Sequence, residues 1–219
     1  MSPIFITGGT GYIGRRLIKK LVSRGYDVTA LVRQGSESKL PKGVRAIIAD
    51  PFNASTFQNW IPKGATFIQL LGLSHPSPRN GEQFNEIDLR SVKASADAAA
   101  AGGVVHFVYV SVSMAETTVM KTYQQARRHG EAYVLTKGFR CTFIRPWYVL
   151  GPGRWWPALL LPFYAVANLN PRWRKTVEGK TLVTVGRMID TLLRAVESPP
   201  MRQRIFEISH IRQGNIPTI

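Results

Sequence analysis

The chain has 219 residues, 44% apolar and 19% charged, an ordinary composition for one globular domain that buries a core. Its 29 Lys+Arg against 13 Asp+Glu give a formal charge of +16, which favours phosphates, acidic membrane surfaces or other anionic partners. Nucleic acid is the weakest candidate, because the charge is scattered and no helix-turn-helix, zinc-finger or RNA-recognition pattern accompanies it.

Ile4 to Thr7 reads as a first strand, and Ile13, Leu17 and Leu21 recur at helical spacing to form the buried stripe of a first helix. Lys19, Lys20 and Arg24 suit the negative end of that helix, and Gly25 closes it. Asp27 to Arg33, Val44 to Asp50 and Thr66 to Leu71 are the next strands, and the alanine-rich stretch from Glu82 to Ala101 is helical up to Gly102-Gly103. Val104 to Ser111 is a fifth strand, Tyr123 to Thr136 a helix and Arg140 to Arg145 a sixth strand. Beyond Pro146 prolines and glycines break the pattern; Thr181 to Val185 then reads as extended, Met188 to Val196 as helical and Ile205 to Ser209 as a last strand. This alternation predicts an α/β fold with a doubly wound parallel sheet, a Rossmann fold. No clean domain linker appears, so residues 1–219 are expected to form a single domain, with 147–180 as a small lid or substrate-side insertion.

The strongest motif is Thr7-Gly8-Gly9-Thr10-Gly11-Tyr12-Ile13-Gly14, which follows a strand immediately and opens a helix. Gly8 permits the tight turn, Gly11 the approach of backbone to a pyrophosphate, and Gly14 close packing of helix on strand; the free amides of the helix start face the phosphate charge. A dinucleotide is therefore expected here. An NAD-binding protein usually carries Asp or Glu at the end of the second strand, against the ribose hydroxyls, whereas this chain reads Ala30-Leu31-Val32-Arg33. Arg33, with Arg15 adding to the field, suits a 2′-phosphate and favours NADP, with NAD as the alternative. The competing reading of both arginines is solvated surface charge.

Together with Asp50, Tyr109-Val110-Ser111-Val112-Ser113, Ile144-Arg145-Pro146 and Gly151-Pro152-Gly153, the glycine loop makes residues 4 to 209 resemble the short-chain dehydrogenase/reductase superfamily. The resemblance is to its extended and atypical members, related to nucleotide-sugar epimerases and NmrA-like proteins. It implies that Asp50 lies beside the adenine, that Leu70, Leu71 and Gly72 run along the cofactor, and that Pro146 to Val149 border the nicotinamide. Asp50 also reads as a turn or N-cap residue, since Pro51 and Asn53 follow it. The family's active pair is Tyr-x-x-x-Lys, and this chain has Tyr123 and Arg127 at that spacing. A cation on the same helix face lowers a tyrosine pKa, although a guanidinium meets the cofactor ribose with different geometry. By the same resemblance Ser111 or Ser113, with Ser113 preferred, would polarise a substrate carbonyl while Tyr123 transfers the proton. Otherwise the serines are strand-end caps and Tyr123 a helix aromatic.

The stretch 154–175 is aromatic and basic, with Arg154, Trp155 and Trp156 before and Arg172, Trp173, Arg174 and Lys175 after an apolar run. It is too short and too broken by Pro157 and Pro162 to span a bilayer; a substrate lid is favoured over docking to an anionic membrane or a larger assembly. His75, His106, His129 and His210 show no metal-ligand spacing, and no metal is expected. The lone Cys141 excludes a disulfide framework, and the N-terminal apolar run lacks the flanks of a secretory signal, so a reducing, cytoplasmic location is expected, with peripheral membrane attachment left open. Two functions compete: an NADP-dependent oxidoreductase or epimerase-like enzyme acting on a small carbonyl or hydroxyl compound, and a non-catalytic NADP-binding sensor or accessory subunit.

Overall fold

The computed structural model describes residues 2–73, 76–155, 159 and 179–217. Its first half runs β1 (Ile4–Thr7), α1 (Tyr12–Ser23), β2 (Val28–Val32), β3 (Arg45–Ile48), β4 (Thr66–Gln69), a π-helical segment (Phe84–Leu89) continuous with α2 (Arg90–Ala101), and β5 (His106–Val110). Then follow α3 (Lys121–Leu135), β6 (Arg140–Ile144), β7 (Tyr148–Leu150), β8 (Leu182–Thr184), α4 (Val185–Glu197), β9 (Gln203–Phe206) and α5 (Ile208–Gln213).

Seven strands form one parallel sheet in the order β3-β2-β1-β4-β5-β6-β9. This is the doubly wound Rossmann arrangement. Because helices cover both faces, β1, β2 and β4 are buried along their whole length, as their unbroken apolar runs require. Alternating side chains serve different layers. Ile4, Ile6, Ile68 and Val108 point towards Leu17 and Leu21 of α1 and Met188 and Leu192 of α4. On the other face Phe5, Phe67 and Phe107 stand on adjacent strands in register, with ring centroids 5.2 and 5.0 Å apart. That aromatic ladder fills the interlayer volume, which explains why α2 presents Ala96, Ala98 and Ala99 to it rather than larger residues.

The expected elements agree with these to within a few residues, with three differences. The helix expected over 82–101 begins with the π-helical segment, inside which Asp88 is buried. The extended stretch expected over 181–185 forms β8, and it pairs in parallel with β7, a strand that the sequence pattern does not announce. The last strand ends at Phe206 rather than Ser209, because Glu207 caps α5: its side chain accepts from the helix backbone while its own N–H donates to His210 Nδ1 at 3.2 Å. Among the described residues no helix is long and apolar enough to cross a membrane.

The strand order reverses beside β1, where β2 and β3 lie on one side and β4 begins the run on the other. Loops leaving the carboxyl ends of β1 and β4 must diverge there, which opens a crevice.

His106, at the foot of β5, is fully buried, with Nε2 2.9 Å from Thr142 Oγ1 and no partner for Nδ1. Burial, aided by Arg140 and Arg204, lowers its pKa to about 3. The unfolded chain therefore binds the extra proton first, so stability from this group is present above the ordinary histidine pKa of 6.5 and is lost as pH falls towards about 3. Between pH 6 and pH 4.5 the urea-unfolding free energy is expected to drop by about 1–2 kcal/mol from His106 alone. A His106→Gln variant should lack that increment; an unchanged pH slope would refute the assignment.

Candidate functional site

The crevice is shaped by glycines that no other residue could replace in place. Gly8 has φ +69°, and a Cβ on it would stand 2.8 Å from the carbonyl carbon of Leu70 and the amide of Leu71. The turn after β1 thus rests directly on the chain leaving β4. A Cβ on Gly14 would strike the Gly8 carbonyl and the Gly9 Cα, so the first turn of α1 presses on the glycine loop. Gly11 is the N-cap; it brings no side-chain cap, and the first turn holds no acidic residue. The leading amides of α1 are therefore free for an anion, and a dinucleotide pyrophosphate fits this cradle by charge and by the room the glycines leave.

Above the cradle lies a cavity of about 510 Å³. Of the residues expected from sequence, Gly8, Gly11, Tyr12, Ile13 and Gly14 line it from one side and Leu70 and Gly72 from another. Ser111, Tyr123, Arg127 and Pro146 close the remaining wall. The others stand apart. Gly9 packs towards Ile18, Thr10 and Leu71 do not border the cavity, and Arg15 and Arg33 are exposed. Asp50 accepts a hydrogen bond from the Phe52 amide at 2.9 Å, which is its turn role. Trp156 and residues 160–175 of the aromatic segment, and His75, lie outside the described residues; Trp155 and Leu159 are exposed.

The two serines differ. Ser113 Oγ donates to the Gly179 carbonyl at 2.5 Å and accepts from the Ala115 amide, and it does not line the cavity. Ser111 lines the cavity, and its Oγ is buried with no hydrogen-bond partner among the described residues. An unsatisfied buried hydroxyl is costly unless a ligand completes it. Ser111 is held there by its amide, which donates to the Ile144 carbonyl at 2.8 Å. Trp147, Tyr148 and Val149 follow on the same wall. Arg145 anchors that segment from behind, its Nε donating to Glu131 and its Nη1 to Glu207 at 3.0 and 2.8 Å.

Tyr123 lies against Phe84, ring centroids 4.8 Å apart. Burial raises its pKa above the ordinary tyrosine value, and the Arg127 guanidinium, 5.2 Å from the ring, only partly opposes that rise. Arg127 itself is ion-paired through Nη2 with buried Asp88, while Nη1 donates to the Val110 carbonyl at 3.0 Å and the Tyr109 hydroxyl at 3.3 Å. Asp88 also accepts from the Leu73 amide. Burial raises its carboxyl above the usual range, and Arg127 counters this. A Cβ on Gly72 would collide with the Arg127 guanidinium and come 2.7 Å from Asp88 Oδ1, so the bare backbone of Gly72 roofs the ion pair.

Asp88 was missed in the sequence because its helix was read by its alanines. The signal was available: Phe84, Asp88, Ser91 and Ser95 recur every three or four residues, which puts a carboxylate and two hydroxyls on the buried stripe of a helix. Among the described residues no group of three His, Cys, Asp or Glu side chains could hold a metal ion.

A family model described as NAD(P)H-binding matches residues 8–151. The chain belongs to that NAD(P)H-binding family. It is 29% identical over 152 residues to a ceramide reductase of Caulobacter vibrioides, an alignment covering 68% of this chain and 47% of that protein. It is 28% identical over 116 residues to the photosystem II assembly factor Ycf39 of Guillardia theta, covering 52% of this chain and 36% of that one. The chain thus spans about half the length, or less, of these relatives. Among solved structures, MoeE5 with UDP-glucose and NAD superposes with TM-score 0.71 at 18% identity, over 96% of this chain and 79% of that one. A UDP-galactose 4-epimerase superposes with TM-score 0.70 at 19% identity, over 94% and 77%. These structural likenesses show the fold, and the family match over residues 8–151 makes the cradle part of an NAD(P)H-binding domain.

Gly72→Ala should lower the unfolding free energy by about 1–3 kcal/mol, because the new methyl must displace the guanidinium or the carboxylate. Alanine at Gly81, where a Cβ meets nothing within 4 Å and φ is −45°, gives the comparison without a clash. Equal stability of Gly72→Ala and wild type in urea would contradict the close packing described.

Proposed function

We propose that the chain is an NADP-dependent reductase acting on a small, largely apolar carbonyl compound. What supports the reading most is Ser111 Oγ, a buried hydroxyl without a partner, on the same cavity wall as Tyr123 and beside the glycine cradle. A bound reduced nicotinamide would supply hydride. In the proposal Ser111 donates to the carbonyl oxygen, Tyr123 gives that oxygen its phenolic proton as hydride reaches the carbon, and Ile13, Leu73, Val112, Met120 and Trp147 exclude water. Exposed Arg33 at the end of β2, where no carboxylate stands, supports preference for a 2′-phosphate, with Arg15 adding to the field.

The 147–180 stretch is assigned as the lid. In support, its ends are pinned beside the cavity by the β7–β8 ribbon and by the hydrogen bond from Ser113 to Gly179. A second reading, an accessory NADP-binding subunit that docks on an anionic membrane or an assembly, is favoured by one observation: Arg127 is engaged by Asp88, Val110 and Tyr109. Exposed Trp155 and Leu159 would then belong to the docking face.

Single-turnover loss of NADPH absorbance with a panel of apolar ketones and enones separates the two. Turnover by wild type, reduced about 10²–10⁴-fold in Tyr123→Phe with NADPH affinity retained, is expected. Tight NADPH binding with no oxidation by any carbonyl would overturn the reductase reading. In fluorescence titrations Arg33→Ala should weaken NADPH binding about tenfold or more and leave NADH binding nearly unchanged; equal losses for both would remove the basis for NADP preference.

A further inference from the structure

In the resemblance drawn from sequence, the cation four residues after the tyrosine activates it. Here Arg127 still lowers the Tyr123 pKa, by its charge and by a side-chain hydrogen bond, but most of its donors are committed elsewhere. Its guanidinium is turned to Asp88 with Nη2 and to Val110 and Tyr109 with Nη1, under a glycine that leaves no room for it to move towards the β4 loop. Asp88 is itself fixed: the Leu73 amide donates to it, and Ser91 Oγ donates to its carbonyl at 3.1 Å. Ser91 Oγ in turn accepts from Gln69 Nε2 at 3.3 Å, and Gln69 Oε1 accepts from Thr7 Oγ1 at 2.5 Å. The chain of polar contacts therefore runs from the last residue of β1 to the helix that carries Tyr123.

We infer that Asp88 is a positioning residue that neutralises Arg127 and keeps the Tyr123 phenol protonated, ready to give the proton that reduction of a carbonyl requires. The inference rests on the reductase reading for the use of that proton, not for the protonation state. Among the described residues, the charged and titratable groups around Tyr123 are Arg127 on its own helix, Asp88 on the π-helical segment and Tyr109 on β5. Of these Arg127 alone favours a phenolate, and Asp88 offsets it in an environment where burial already disfavours the anion. Tyr109, buried and pushed up to about 12, stays neutral and adds no charge.

The step balances. Hydride arriving at the carbonyl carbon drives the C=O electron pair onto oxygen, that oxygen takes the proton from Tyr123, and the carbonyl is reduced to an alcohol. The phenolate left on Tyr123 recovers its proton from water.

The test is a spectrophotometric tyrosinate titration of the protein without cofactor or substrate, taken as wild type minus Tyr123→Phe so that Tyr123 alone is read. Wild-type Tyr123 should stay protonated through pH 10, whereas Asp88→Asn, which frees the Arg127 charge, should bring its midpoint down by about one pH unit or more. Since Asp88→Asn leaves an unpaired buried cation and can fail to fold, the double variant Asp88→Asn with Arg127→Gln provides a second arm; with both charges gone, Tyr123 should titrate as high as in wild type. A wild-type midpoint below about pH 9, an Asp88→Asn midpoint unchanged from wild type, or a double variant as low as the single one would each overturn the inference. If the titrations come out as expected and no carbonyl is turned over, the reductase reading fails while the role of Asp88 stands.

Discussion

The contact between the glycine turn after β1 and the backbone leaving β4 sets the rest of the site. Gly8 lies against Leu70 and Leu71 because it has no side chain and adopts a left-handed conformation, and Gly14 lets α1 begin directly behind it. That packing fixes where the free amides of α1 point, and it brings the β4 exit close enough for Leu70 and Gly72 to border the same cavity as Gly11 and Ile13. The reversal of strand order at β1 then ensures that loops from β5 and β6, carrying Ser111 and Pro146, face the cradle rather than cover it.

A second constraint works beneath the first. The buried pair of Arg127 and Asp88 ties α3, the π-helical segment before α2 and the carbonyl of Val110 together at the cavity wall. A buried ion pair contributes little net stability against a well-packed apolar alternative, since desolvation cancels much of the attraction. Its consequence here is specific orientation. It holds the helix bearing Tyr123 and determines how much of the Arg127 field reaches the phenol.

Much of the architecture was legible in the sequence because its signals are local. Apolar runs of strand length, the Ile13, Leu17, Leu21 stripe and the glycine spacing each report on neighbours a few residues away, and each element they announced is present. The cavity-lining glycines were legible for the same reason, whereas Ser111, Tyr123 and Arg127 were reached through the family resemblance, with Ser113 preferred to Ser111. Other features depend on distant partners. β7 is a three-residue strand too short to carry a periodic signal, and Asp88 acquires its meaning only when α3 brings Arg127 beside it. The role of Ser113 likewise depends on a remote partner, the Gly179 carbonyl that accepts its hydroxyl.

What holds the cofactor is thus distinct from what acts on the Tyr123 proton: the first is glycine backbone at the sheet's switch point, the second side chains on the π-helical segment, α3 and β5. A crystal structure of the protein with NADPH bound tests their joint arrangement most directly. The account predicts the pyrophosphate on the amides at the start of α1, the nicotinamide between Ser111 and Tyr123, and Arg127 still paired with Asp88. A nicotinamide lying outside that cavity, or an Arg127 that has left Asp88 to bind the cofactor ribose, would contradict it.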